Sequence, residues 1–228
     1  KEDMRFLGLM TGNGWIKQRD SEVGICFRKG SEDLVLLNYI SKRYGVVFKP
    51  QRGKGKNVAT FTCYSAILKN VFLDFWSGYD YTAKTKTFPD AVLSFPDDLK
   101  MAFIEGLWET DGSHKGKSMY TSSSYALICK MKRLLATLNI PNGLQFRAKH
   151  DNDKAKVLHS SDSWQIVVPH KFRPITRQCG ESSSRYIFKR IFKVEKIASD
   201  FVYDISVEGN KSYVTSSFAA HNSGAGSL

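Results

Sequence analysis

Apolar positions along the chain fall into helix-like and strand-like runs that occur twice in the same order. The clearest run is Leu127, Ile128, Met131, Leu134, Leu135 and Leu138, whose three- to four-residue spacing predicts an amphipathic helix. It stops at Asn139-Ile140-Pro141-Asn142-Gly143, a break made of turn residues. Strands are expected before it, over Lys115 to Thr121, and after it, over Leu144 to Lys149 and Trp164 to Pro169. In the first half, Val23, Ile25 and Phe27 alternate with Gly24, Cys26 and Arg28, so a strand there has one apolar face. It pairs with Trp15 to Arg19 around the polar turn Asp20-Ser21-Glu22. Ser31 is expected to cap a helix with Glu32 and Asp33 in its first turn and Leu34, Leu37, Ile40 and Tyr44 on its buried side. Strands follow at Val46 to Lys49 and Asn57 to Tyr64, then a helix over Ser65 to Trp76. Residues 82–96, with Lys84, Lys86, Pro89 and Pro96, have the composition of a linker between halves of about 1–81 and 97–170.

Each half opens with a related apolar stretch. Phe6-Leu7-Gly8-Leu9-Met10-Thr11-Gly12-Asn13-Gly14 returns as Ile104-Glu105-Gly106-Leu107-Trp108-Glu109-Thr110-Asp111-Gly112, and matched positions are 98 residues apart. Gly8 and Gly12 in one copy, and Gly106 and Thr110 in the other, lie one helical turn apart on one face. Small residues there let two helix backbones approach closely, which brings Asn13 and Asp111 together at one end of the seam. Gly14 and Gly112 suit a helix C-terminus, and Pro96-Asp97-Asp98 suits the N-terminus of the second helix. Two oxygen-bearing side chains between related halves are what a divalent cation needs. The plain alternative is a pair of buried helices that happen to be glycine-rich.

This pattern resembles the LAGLIDADG (dodecapeptide) homing endonucleases. The resemblance implies an α+β fold, a pseudo-twofold duplication of an αββαββα unit whose saddle of antiparallel strands straddles double-stranded DNA. It implies that the acid of each motif binds two or more Mg²⁺ ions that drive hydrolysis of the target site. Asp111 fits that role, while Asn13 stands where the family has Asp and lacks the charge that binds a hard cation. The implied activity is therefore site-specific cleavage, nicking, or DNA binding on a degenerate scaffold. Net charge of +12 and a pI of about 9.5 favour a polyanionic partner. The tip Pro50-Gln51-Arg52-Gly53-Lys54-Gly55-Lys56 is either a solvated hairpin end or a DNA contact, with Lys54 and Lys56 on phosphates and Gln51 and Arg52 at base edges. Lys54 and Lys149 are also candidates for a basic group near the scissile phosphates. No apolar run is long enough to span a bilayer. Cys26, Cys63, Cys129 and Cys179 are unpaired in spacing and are expected to be reduced thiols of an intracellular protein without membrane partners.

From about Arg185 the texture changes to short strand-like runs: Ile187 to Val194, Phe201 to Val207, Tyr213 to Thr215 and Ser217 to Ala220. Ala220-His221-Asn222-Ser223 carries chemistry, since an Asn amide can attack its own carbonyl, a His can protonate the leaving amine, and a Ser hydroxyl can accept an acyl group. Together with Val202-Tyr203-Asp204-Ile205 and Asn210-Lys211-Ser212-Tyr213-Val214, it resembles the C-terminal blocks of inteins. That likeness implies the end of an intein (Hint) splicing domain over 183–222, after an endonuclease domain over 1–182, with 223–228 as C-extein. Asn222 is then the cyclising residue, His221 its assistant, Asp204 the block acid, and Ser223 the acyl acceptor. Lys211 takes a place usually held by a second His. No N-terminal nucleophile precedes the first motif, so splicing calls for an N-terminal intein half as partner, and for no cofactor. A protein whose endonuclease is decaying and whose remaining function is splicing is the further alternative.

Overall fold

The computed structural model describes residues 1–17, 19–30, 32–51, 57–76, 82–113, 118–148 and 162–169, with the backbone of two strands at 212–214 and 219–221. By its contacts the chain divides into two units, residues 1–181 and 182–228.

The first unit is built from two similar halves. In the first, helix α1 (Glu2–Asn13) leads into strands β1 (Gly14–Lys17) and β2 (Glu22–Arg28), helix α2 (Leu34–Tyr44), strands β3 (Lys49–Gln51) and β4 (Val58–Tyr64), and helix α3 (Ala66–Phe75). In the second, α4 (Asp97–Asp111) is followed by β5 (Ser118–Ser122), α5 (Tyr125–Thr137), β6 (Gly143–Arg147) and β7 (Ser163–Val168). The first sheet is antiparallel in the order β1-β2-β4-β3 and the second in the order β5-β7-β6. A bridge between Gly112 and Tyr120 puts the chain after α4 beside β5, as β1 lies beside β2. The order of elements is the duplicated α+β arrangement expected from the hydrophobic pattern.

Local chemistry accounts for most boundaries. Ser65 and Ser124 cap α3 and α5, each accepting a backbone N–H three residues on, from Leu68 and Leu127. The cap of α2 is Asp33, which accepts from the Leu36 N–H, so this helix starts two residues later than a Ser31 cap implies. Its buried side is correspondingly Leu36, Leu37 and Ile40, while Leu34 is exposed. The helix ends at Gly45 in the left-handed conformation, φ 63°, which glycine adopts without steric cost. Gly14 and Gly112 behave differently from the expected C-terminal glycine. Both are extended (φ −86° and −81°), and what excludes a side chain is crowding, by Met10 at Gly14 and by Trp108 at Gly112.

Each half has its own core. Phe6, Leu9 and Met10 of α1 pack with Val23, Ile25, Ile40 and Phe72. Phe103, Leu107 and Trp108 of α4 pack with Tyr120, Met131, Leu135 and Ile166. Residues 82–96 are not a free linker, since Phe88 and Val92 are fully buried in the second core and Asp90–Ser94 forms a 3-10 turn. In the second unit, β8 (Ser212–Val214) and β9 (Ala219–His221) pair antiparallel, with Ser212 opposite His221.

Candidate functional site

The seam between the halves is α1 against α4, and the spacing of small residues creates it. A Cβ on Gly8 would strike the Phe103 carbonyl and the Leu107 N–H, and one on Gly106 would strike the Arg5 carbonyl and the Leu9 N–H. Those two sets of contacts exchange under a shift of 98 residues, which is the signature of a local twofold axis. Gly12 faces the Thr110 side chain one turn further on. Arg5 locks one flank of the seam, bonding Glu109 of α4 and Asp33 of α2 at 2.7 Å each.

Both helices run in the same sense along the seam and end together, α1 at Asn13 and α4 at Asp111. Helix C-termini carry unpaired carbonyls and the negative end of the dipole, so this end of the seam attracts a cation. Lys86 occupies it. Its Nζ donates to the Gly12 carbonyl at 2.9 Å and pairs with the Asp111 carboxylate at 3.3 Å. The Lys86 side chain is 9% exposed and that of Asp111 39%, so the amine is buried while the carboxylate reaches the surface. Burying an ammonium is costly unless it is paired and hydrogen-bonded, and here it is both.

The placement of Lys86 is built by residues far off in sequence. Ser124 is fully buried, and its hydroxyl donates to the Lys86 carbonyl at 2.6 Å while capping α5. The Lys86 N–H donates to the Thr82 carbonyl, and Lys130 Nζ donates to the Phe88 carbonyl. Reading the sequence missed Lys86 as a site residue. The available signal was the apolar pattern Phe88, Val92 and Phe95, which anchors this segment to a core.

The two motif ends are unlike. Asn13 Nδ2 donates to the Cys26 carbonyl of β2 at 3.4 Å, a bond that an aspartate could not make. Asp111 instead faces Lys86. Among the described residues no group of three or more His, Cys, Asp or Glu is placed to hold a metal ion. The donor set is still of the right kind for a small, hard cation. The Asp111 carboxylate and the Gly12 carbonyl already converge on one positive charge, and Mg²⁺ binds with one or two carboxylates and fills the rest of its shell with water or phosphate oxygen.

Of the other residues singled out in the sequence, Gln51 lies on edge strand β3 and its amide donates to Thr62 at 2.7 Å. Arg52, Lys54, Lys56 and Lys149 lie outside the described residues, as do Asp204, Lys211, Asn222 and Ser223, and His221 is described only as strand backbone. Cys26, Cys63 and Cys129 are free thiols, and burial pushes that of Cys63 up to about 11. No described helix is long and apolar enough to cross a membrane.

Residues 98–167 match the model of the LAGLIDADG-like domain. No curated protein matches the chain. Among solved structures, I-DmoI in complex with DNA and Ca is similar with a TM-score of 0.52 at 15% identity, over 74% of this chain and 83% of that one. I-DmoI in complex with DNA and Mn gives 0.52 at 16% identity, over 74% and 89%. Full-length DUF199/WhiA from Thermatoga maritima gives 0.50 at 14% identity, over 75% of this chain and 51% of that chain, so the present chain spans about half its length. This chain thus contains a LAGLIDADG-like domain and carries the mixed α/β fold seen in the homing endonuclease I-DmoI.

Proposed function

We propose that residues 1–182 form a DNA-binding homing-endonuclease domain whose hydrolytic chemistry is confined to one of two related half-sites. The observation that carries this reading is the unlike pair of helix ends, with Asp111 beside the buried Lys86 ammonium and Asn13 hydrogen-bonded to the Cys26 carbonyl. The basic charge of the chain and the DNA-bound state of I-DmoI support a duplex partner.

Asp111, whose carboxylate reaches the surface, is the residue that would hold a divalent ion. A divalent ion there supplies Lewis-acid chemistry that makes a water acidic and offsets charge on a phosphate. Lys86 holds Asp111 in place, and its ammonium stabilises negative charge developing on a phosphoryl oxygen at the same end of the seam. Asn13 contributes no charge, so the strand facing the α1 end is cut slowly or not at all. The test is duplex binding followed by incubation of supercoiled plasmid with Mg²⁺. Nicked circles that vanish for Asp111→Asn are expected. Binding without any cut, persisting in Asn13→Asp, makes the chain a DNA-binding module on a degenerate scaffold.

We further propose that residues 183–222 are the C-terminal part of an intein. The support is the sequence Asp204, Lys211, His221-Asn222-Ser223, with Asn222 cyclising and Ser223 accepting the acyl group. Mixing the chain with an N-terminal intein half and looking for ligated product by mass spectrometry tests it. Failure of Asn222→Ala to change the outcome would sink it.

A further inference from the structure

We propose that Asn13 is a self-modification site, which loses its side-chain amide to become aspartate and so supplies the carboxylate that the α1 end of the seam lacks. The inference rests on the half-site reading above. Asn13 is followed by Gly14, and the only other Asn-Gly pair in the chain is Asn142-Gly143. An asparagine side chain can be attacked by the backbone nitrogen of the next residue, and a glycine there, having no Cβ, leaves the approach clear. The Gly14 nitrogen bonds to Asn13 Cγ and gives up its proton, the Cγ–Nδ2 bond breaks, and Nδ2 leaves as ammonia. Water then opens the five-membered imide at Cγ and leaves an aspartate at position 13.

Asn13 is the last residue of α1 and Gly14 is already extended, so the reacting peptide unit lies at a helix end, where local opening is easiest. Two hydrogen bonds hold it. The Gly14 N–H donates to the Met10 carbonyl, and Asn13 Nδ2 donates to the Cys26 carbonyl at a long 3.4 Å. Losing two bonds of ordinary net strength slows the reaction about 30-fold relative to the unfolded chain and does not stop it. Asn13 is half-buried, so water reaches the imide. Lys86 Nζ, bonded to the Gly12 carbonyl at 2.9 Å, puts a positive charge close to the attacked carbon and offsets the charge that develops on its oxygen. Asn142 is held more firmly, its amide donating to the Ile140 carbonyl at 3.1 Å and the Lys132 carbonyl at 3.3 Å, so it converts more slowly. The product fits the site. An aspartate cannot donate to the Cys26 carbonyl, so its carboxylate turns from that oxygen toward the Lys86 ammonium and joins Asp111 at the same end of the seam. Opening of the imide at its other carbonyl gives isoaspartate, with one more backbone carbon before Gly14. Gly14 is paired with Ile25 and crowded by Met10, so the fold favours aspartate.

The experiment compares freshly purified full-length chain with the same protein held at neutral pH in heavy-oxygen water, both folded and in urea. Peptide mapping by mass spectrometry measures conversion at Asn13 and Asn142 and separates aspartate from isoaspartate. Strand-resolved cleavage of a duplex selected from a random pool is run on the fresh and aged folded samples, beside Asn13→Asp and Asn13→Gln, whose longer side chain does not close the five-membered ring. The folded chain is expected to convert Asn13 about 30-fold more slowly than the unfolded chain and ahead of Asn142. It should gain second-strand cutting in proportion to the aspartate formed, while Asn13→Gln gains none. The proposal is overturned if the folded chain keeps the Asn13 amide while the urea sample loses it, or if isoaspartate is its main product. It is equally overturned if aspartate accumulates without the second-strand cutting that Asn13→Asp shows. If neither the aged protein nor Asn13→Asp cuts the second strand, the half-site reading fails, and the activating role with it.

Discussion

Replacing Gly106 by alanine sets two physical effects against each other. Alanine is the better helix former by about 1 kcal/mol, so propensity alone predicts a gain. The seam predicts a loss, because the added Cβ falls on the Arg5 carbonyl and beside the Leu9 N–H, which are backbone atoms that no rotamer change can move. The helices must separate, and a gap of 0.5–1 Å forfeits about a quarter to a half of each dispersion contact along it. Overpacking of this kind costs about 1–3 kcal/mol and more where backbone is the obstacle. Net destabilisation of about 2 kcal/mol follows, or roughly 4–8 °C in Tm for a domain of this size. Gly8→Ala meets the matching contacts on Phe103 and Leu107 and should lose a similar amount. Thermal unfolding followed by circular dichroism reads both. A Tm at or above wild type for either variant would refute the close twofold seam.

Lys86→Met keeps much of the side-chain volume but removes the charge. It should cost about 2 kcal/mol of stability for the lost hydrogen bond to the Gly12 carbonyl and slow DNA cleavage about 10²–10³-fold, read by urea unfolding and by a plasmid assay. Ser124→Ala should cost about 1 kcal/mol through the α5 cap and lower cleavage less than Lys86→Met, since it only releases the Lys86 carbonyl. Glu22 gives a pH dependence. The hydrogen bond from Lys17, opposed by burial, holds its carboxyl below the ordinary 4.5. Its stabilisation is present above that value and lost as pH falls through the lower folded value, so Glu22→Gln should flatten the fall in Tm on acidification. An unchanged acid limb would contradict it.

The periodic segments were legible because local chemistry decides them. All five buried residues of α5, Leu127, Ile128, Met131, Leu134 and Leu135, follow from spacing, and Ser65 and Pro96 mark helix starts by type alone. The duplication was legible because glycine is costly inside a helix and its repetition needs a reason. The start of α2 was misplaced because Ser31 and Asp33 are both acceptable caps, and tertiary packing of Leu36 and Leu37 selects Asp33. Lys86 was not legible. A lysine among Lys84, Pro89 and Pro96 looks solvated, and its burial depends on partners 74 and 25 residues away, at Gly12 and Asp111. The hydrogen bond that occupies Asn13 was hidden for the same reason, since Cys26 offers it through backbone and not through its side chain.

The central claim, that one motif end is chemically competent and the other is not, is tested most directly by strand-resolved cleavage. A duplex carrying a selected site is labelled on each strand in turn, incubated with protein and Mg²⁺, and run under denaturing conditions. A cut in one strand is expected, abolished by Asp111→Asn and slowed by Lys86→Met, with the second strand cut only after Asn13→Asp. Equal cutting of both strands by the wild type, or cutting that survives Asp111→Asn, would contradict it.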